Sequence, residues 1–256
     1  MPHQPTGGEQ PPDTHADEVL AVAAHELRRP LTALLAALGI LQHRGRTLSA
    51  PQRGELLATA RGQGEHLRRL LDQVLAAADL ERRDAITLKP SLVDAAALAH
   101  QAGVAARLAH PDRPVTVHLA GPLPVHADPL AVSSILGNLL DNAATHTPPG
   151  TPILLSASRH RRCAVLAVQD AGPGIPPAQR ERVFGRYARL GQPPGRHRAG
   201  LGLGLYLARR LARASRGELH ATDPPGGRRG ARLELRLPLA TPPRASTHGA
   251  NERARP

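Results

Sequence analysis

Aromatic side chains are almost missing from this 256-residue chain: Phe184, Tyr187 and Tyr206 are the whole set, and tryptophan is absent. A platform that stacks single-stranded bases on rings is therefore disfavoured. Cysteine is scarcer still, since Cys163 stands alone, which rules out a disulfide framework and a cysteine-based metal site and fits a reducing compartment. Long apolar runs are lacking too. The longest, Leu31 to Leu41, contains Thr32 and Gly39 and falls short of the ~20 residues that span a bilayer. Residues 1–16 are polar and Pro/Gly-containing, unlike a basic-then-apolar leader, so the expectation is a cytoplasmic protein with no membrane span. Acidic charge is outnumbered, with 21 Asp and Glu against 33 Lys and Arg, for a net charge of +12. The basic residues are scattered and nearly all arginine, the pattern of a solvated or partner-facing surface rather than of a nucleic-acid site.

What is present is hydrophobic residue at helical spacing. Leu20, Ala24, Leu27, Leu31, Leu34, Leu38 and Leu41 recur in steps of three and four, predicting a long amphipathic helix over 17–43. His25 lies about 200° of helical rotation from Leu27, so burial of the stripe leaves the imidazole facing solvent or another domain. Pro30 cannot donate to the carbonyl of Glu26, and a local bend is expected there. After the turn from Arg44 to Pro51, Ser49 is a candidate N-cap for a second helix. Its stripe is Leu56, Ala60, Gln63, Leu67, Leu70 or Leu71, Val74 and Ala78. Two such helices cannot enclose a core alone, so a second copy is expected to complete a four-helix bundle. Beyond residue 84 the elements shorten. The pattern predicts helices near 92–109, 128–144, 178–184 and 202–214, and strands near 115–120, 152–159, 163–169, 217–222 and 231–237, which together suggest a layered α/β domain.

Four short segments carry chemistry. Residues 25–31, His-Glu-Leu-Arg-Arg-Pro-Leu, place an ionisable imidazole beside a carboxylate. Asn138 and Asn142 share one face of a helix that is apolar elsewhere, and an amide oxygen suits Mg²⁺ carrying nucleotide phosphates. Asp170 ends an apolar strand and precedes Gly172 and Gly174, so a carboxylate able to accept from an exocyclic amine sits where backbone can approach a planar ligand. Gly200, Gly202 and Gly204 alternate before an amphipathic helix, whose N-terminus could meet phosphate oxygens. This is neither a Walker A loop nor a dinucleotide-binding fingerprint.

Taken in order, these segments resemble the catalytic core of the sensor histidine kinases of bacterial two-component systems, over roughly residues 17–240. The resemblance implies an α+β chain: an all-α hairpin over 17–84, forming a dimeric four-helix bundle, then a two-layer α/β sandwich ATPase domain over 85–240, with disordered tails at 1–16 and 241–256. It implies an enzyme, a protein histidine kinase, using ATP and Mg²⁺. His25 matches the phospho-acceptor and Glu26 the carboxylate that acts as base. Asn138, Asn142 and His146 match the asparagine box, with Asn142 as metal ligand. Asp170, Gly172 and Gly174 match the first glycine box, which holds adenine. Phe184, Arg186, Tyr187 and Arg189 fall in a segment resembling the phenylalanine box, and Gly200, Gly202 and Gly204 in the second glycine box. The lid between them, Leu190 to Ala199, is expected to be mobile without nucleotide. The implied partners are a second copy, the receiver domain of a response regulator and a separate sensory protein.

Three positions depart from the family pattern. Ala24 stands where serine often precedes the histidine. Arg29 replaces the Thr or Asn of members that also dephosphorylate their partner, and a guanidinium cannot accept from water, so weak phosphatase activity is expected. Thr145 occupies a position that is often basic, which shifts phosphate binding toward the arginines of the lid. Two other readings are a non-catalytic nucleotide-binding dimeric adaptor of the same fold and an anti-sigma serine kinase. Intact His25, Glu26, Asn142 and Asp170 weigh against the first, and the long acceptor-bearing hairpin against the second.

Overall fold

The computed structural model describes residues 14–82, 86–188 and 200–240. Helix α1 (Thr14–Arg44) and helix α2 (Ala50–Arg82) form an antiparallel hairpin. Their connection is stopped by reciprocal capping: the Ser49 N–H donates to Gln52 Oε1 at 2.9 Å, and the Gln52 N–H donates to Ser49 Oγ at 3.4 Å. Helix α1 runs through the buried Pro30 as one helical element. Pro30 removes a single backbone hydrogen bond, and the helix continues on both sides of it.

The rest of the chain builds two layers. A two-stranded sheet pairs β1 (Ser91–Asp94) with β3 (Pro124–Ala127) antiparallel. The main sheet has the order β2 (Val115–Leu119), β4 (Ile153–His160), β5 (Cys163–Asp170), β7 (Arg232–Pro238), β6 (Glu218–Thr222). Only β2 and β4 run parallel, and the other pairs are antiparallel. Helices α3 (Ala95–Ala109), α4 (Pro129–His146) and α5 (Gly204–Ala214) cover one face. The core between the layers is aliphatic, with Ile135, Leu136, Leu139, Leu155, Leu166 and Leu235 fully buried. On strand β7, Glu234 is bridged to Arg232 at 2.8 Å and to Arg236 at 2.9 Å, and these two arginines hold its carboxyl below the usual range although burial pushes it up. That ladder clothes the sheet face the helices leave open.

Two elements differ from the pattern-based expectation. Residues 91–94 are a strand rather than the start of a helix, because Asp94 ends the strand and caps α3, accepting from the Ala96 N–H at 2.9 Å. The expected helix near 178–184 is two single 3₁₀ turns, Pro177–Gln179 and Arg182–Phe184. Strand β3 went unforeseen: its four residues include Pro124 and are too short to show an alternation.

Candidate functional site

Helix α4 begins on a strong cap. Asp128 Oδ1 accepts from the Leu130 N–H at 2.9 Å and from the Ala131 N–H at 3.4 Å, Pro129 takes the first helical position, and Asp128 Oδ2 accepts from the Lys89 N–H at 2.8 Å. Those backbone bonds, the one from Lys89 foremost, hold the Asp128 carboxyl below its ordinary pKa. With Ile135, Leu136, Leu139 and Leu140 locked in the core, the helix presents Asn138, Asp141 and Asn142 on its opposite face. Asp141 is fixed by His110 of the α3 C-cap, 2.8 Å away.

That face lines a cleft of about 150 Å³. Asn138, Asn142, Thr145 and His146 form one wall, Gly200, Gly202 and Gly204 a second, and His66, Arg69, Leu70 and Gln73 of α2 the third. The structure thus brings together the asparagine and second-glycine segments and adds a wall from the hairpin. Gln73 Nε2 donates to Asn138 Oδ1 at 3.4 Å. Gly204 lies close to the same side chain: a Cβ there would stand 3.1 Å from Asn138 Oδ1, so the amide would have to shift by a few tenths of an ångström. Gly202 has φ +67°, and a Cβ would meet the Tyr187 backbone at 2.8 Å.

The Asp170 segment adjoins this cleft without lining it. Asp170 Oδ1 accepts from the Gly172 N–H at 2.8 Å and the Ala231 N–H at 3.1 Å, and the Asp170 N–H donates to the Ala231 carbonyl at 3.0 Å. The carboxylate is therefore set in one orientation at the end of β5. A Cβ on Gly172 would come 2.9 Å from both Asp170 Oδ1 and Thr147 Cγ2, and Gly174 adopts φ +81° with its would-be Cβ 2.9 Å from the Gly230 carbonyl. Gly230 is the tightest of all, with φ +127° and a would-be Cβ 1.8 Å from the Asp170 carbonyl. Sequence reasoning missed Gly230 and Thr147. The available signal was a glycine placed directly before the last strand.

Of the described phenylalanine-box residues, Ala188 lines the cleft, whereas Phe184, Arg186 and Tyr187 do not. Phe184 is a core side chain under the Arg209 guanidinium, 4.8 Å from its ring centroid, and Arg209 is paired with Glu181 at 2.7 Å. Tyr187 packs beside an interdomain cluster, and the exposed Arg186 lies 4.7 Å over its ring. Arg189 and the 190–199 lid lie outside the described residues.

Glu26 is buried to 3% exposure on α1, and its Oε2 accepts from the Gly200 N–H at 2.9 Å. The backbone of His25 is in α1, and its side chain lies outside the described residues. Near this contact Leu70 and Ala77 of α2 bury themselves against Leu201, Leu203 and Leu207, with Leu27 of α1 packed alongside. The ambiguity between Leu70 and Leu71 is thereby resolved: Leu70 is buried and Leu71 is exposed.

The hairpin also matches the family profile described as His Kinase A (phospho-acceptor) domain, over residues 16–83, and residues 127–241 match that of the histidine kinase-, DNA gyrase B- and HSP90-like ATPases. The chain belongs to the sensor histidine kinase family. The adaptive-response sensory kinase SasA of Synechococcus sp. (strain JA-2-3B'a(2-13)) is 32% identical over 230 residues, 87% of this chain and 59% of that protein. The sensor protein IrlS of Burkholderia pseudomallei is 33% identical over 186 residues, 72% of this chain and 39% of that protein. The chain thus spans less than two thirds of the length of these relatives. Among solved structures, full-length ShkA in complex with AMPPNP superposes with a TM-score of 0.59 at 29% identity, over 88% of this chain and 46% of that one. A helical hairpin followed by a mixed α/β ATPase domain is the arrangement these histidine kinases share with it.

Proposed function

We propose that the chain is an ATP-dependent histidine autokinase that phosphorylates His25 and passes the phosphoryl group to an aspartate of a response-regulator receiver. The observation that carries this reading is the 2.9 Å hydrogen bond from the Gly200 N–H to Glu26, which ties the turn of α1 bearing His25 to the border of the cleft lined by Asn138 and Asn142. In the transfer a ring nitrogen of His25 forms the N–P bond, the bond from the γ-phosphorus to its bridging oxygen breaks, ADP leaves, and the ring proton passes to a base, a role Glu26 fits by chemistry. Asp170, oriented by the Gly172 and Ala231 amides, is suited to accept from the adenine amine.

Mg²⁺ fits the residues present. Asn142, which lines the cleft, carries a hard amide oxygen, and Mg²⁺ commonly takes one protein oxygen with nucleotide phosphates and water. Asn142 would hold it, and when bound it would neutralise phosphate charge.

A homodimer is supported by the apolar residues the hairpin leaves exposed, among them Leu31, Leu35, Leu38, Leu57 and Leu75. The hairpin unit is assigned to 17–84 and the ATPase unit to 85–240. No described helix is long and apolar enough to cross a membrane. A cytoplasmic site of action suits ATP chemistry and the free thiol of Cys163. Arg29, exposed one turn after His25, offers only donors, and supports weak phosphatase activity toward the receiver.

Incubation with γ-labelled ATP tests the reading. The expected product is an acid-labile, alkali-stable label on the parent and none on His25→Gln. Label that persists in the variant overturns the assignment of His25, and ATP binding without any label would favour the nucleotide-binding adaptor.

A further inference from the structure

We propose that Arg69, on the second helix of the hairpin, is a phosphate-binding residue of the nucleotide cleft. The proposal rests on the nucleotide reading above. Among the described residues that line the cleft, Arg69 is the one permanently charged cation. Asn138, Asn142 and Thr145 are neutral, and the remaining basic groups, His66, His110 and His146, are imidazoles. A pocket for a polyanion needs fixed positive charge, and the described part of the ATPase domain places none on this wall.

The neighbouring residue sharpens the case. Arg68 is engaged on the solvent side by Glu65 at 3.0 Å and Asp72 at 3.2 Å. Arg69, about 100° further round the helix, is half-buried at the cleft, and among the described residues no carboxylate lies within ion-pair distance of it. Its charge is instead felt by His66, whose pKa is lowered by burial and by Arg69. Asp141, the carboxylate on the same cleft, is paired with His110 at 2.8 Å, so among the described residues the half-buried guanidinium has no carboxylate at ion-pair distance and gains when an anion arrives to pair with it. The planar fork of arginine suits a phosphate oxygen pair.

The location has a consequence for regulation. Arg69 belongs to the hairpin while Asn138, Asn142 and Asp170 belong to the ATPase domain, so full nucleotide affinity requires the two to be docked. By reciprocity, bound nucleotide must favour docking by the same factor. A movement of α2 would then be read directly as a change in ATP affinity.

The test is calorimetric titration of the full chain with Mg-ATP, comparing the parent with Arg69→Ala, Arg69→Gln, Arg69→Lys and Arg68→Ala. Expected are a loss of about tenfold for Arg69→Ala and Arg69→Gln, a loss of only about two- to threefold for Arg69→Lys, and no change for Arg68→Ala. Circular dichroism on each variant separates loss of charge from loss of helix, and the glutamine and lysine variants preserve the side-chain stem. Parent-like affinity in both neutral variants overturns the proposal while leaving the nucleotide reading intact, as does an equal loss in Arg69→Lys and Arg69→Gln. A parent that binds no ATP overturns the nucleotide reading and this inference with it.

Discussion

Gly230 shows how much one missing Cβ carries. Its φ of +127° and the 1.8 Å approach of a would-be Cβ to the Asp170 carbonyl mean that any side chain must push β7 away from the end of β5. The Ala231 amide that orients Asp170 moves with it. Gly230→Ala is therefore expected to lower stability by about 3 kcal/mol or more, and to weaken nucleotide binding in whatever fraction remains folded. Urea unfolding followed by fluorescent-nucleotide titration checks both, and an unchanged midpoint would refute the steric argument. At the same scale, Glu26 was legible as a carboxylate beside His25, but its burial against Gly200, 174 positions away in the chain, was not. Adjacent helix residues point about 100° apart, so side-by-side letters do not imply a shared partner.

Among elements, α4 is the one on which the cleft depends most. Its cap, Asp128, joins the first helical amides to the Lys89 backbone, coupling the start of the helix to the strand region before β1. Asp128→Ala should cost about 1 kcal/mol, within the range for loss of an N-cap side chain. Thermal unfolding by circular dichroism would show it as a drop of several degrees, and Asp128→Asn, which keeps an acceptor, should recover most of it. The helix itself was legible because its apolar positions repeat with a period near 3.6 and Asp-Pro marks its start. Strands β4, β5 and β7 were legible for their alternation or apolar density. The short β3 and the paired 3₁₀ turns were not, since three or four residues hold less than one period of any pattern.

For the whole molecule, the hairpin and the ATPase domain meet at the cluster of Leu70, Ala77, Leu201, Leu203 and Leu207, with His66 beside it. Burial first, then the Arg69 charge, lowers the His66 pKa, while Glu26 and Asp141 act to raise it. The net direction is down from 6.5. Well above pH 6.5 the imidazole is neutral folded or unfolded and contributes nothing to the pH dependence. Below that value the unfolded chain takes up the proton first, so stability falls with falling pH until the depressed folded pKa is reached. The melting temperature of the parent should consequently drop further between pH 7 and pH 5.5 than that of His66→Gln. Equal drops would remove His66 as the cause.

The sequence by itself determined the order of motifs, the two helices of the hairpin, the layered α/β class and the family to which the chain belongs. Those properties are local or periodic, written in spacings of three, four and two residues and in glycines where turns demand them. Only the tertiary structure decided that α2 forms a wall of the cleft lined by Asn138 and Asn142, that Leu70 rather than Leu71 is buried, that Phe184 is core, and that Glu26 meets Gly200. Each of these is a contact between residues far apart in the chain. Its free energy comes from apolar area and polar groups removed from water jointly by two elements, and neither element's sequence encodes the other's position.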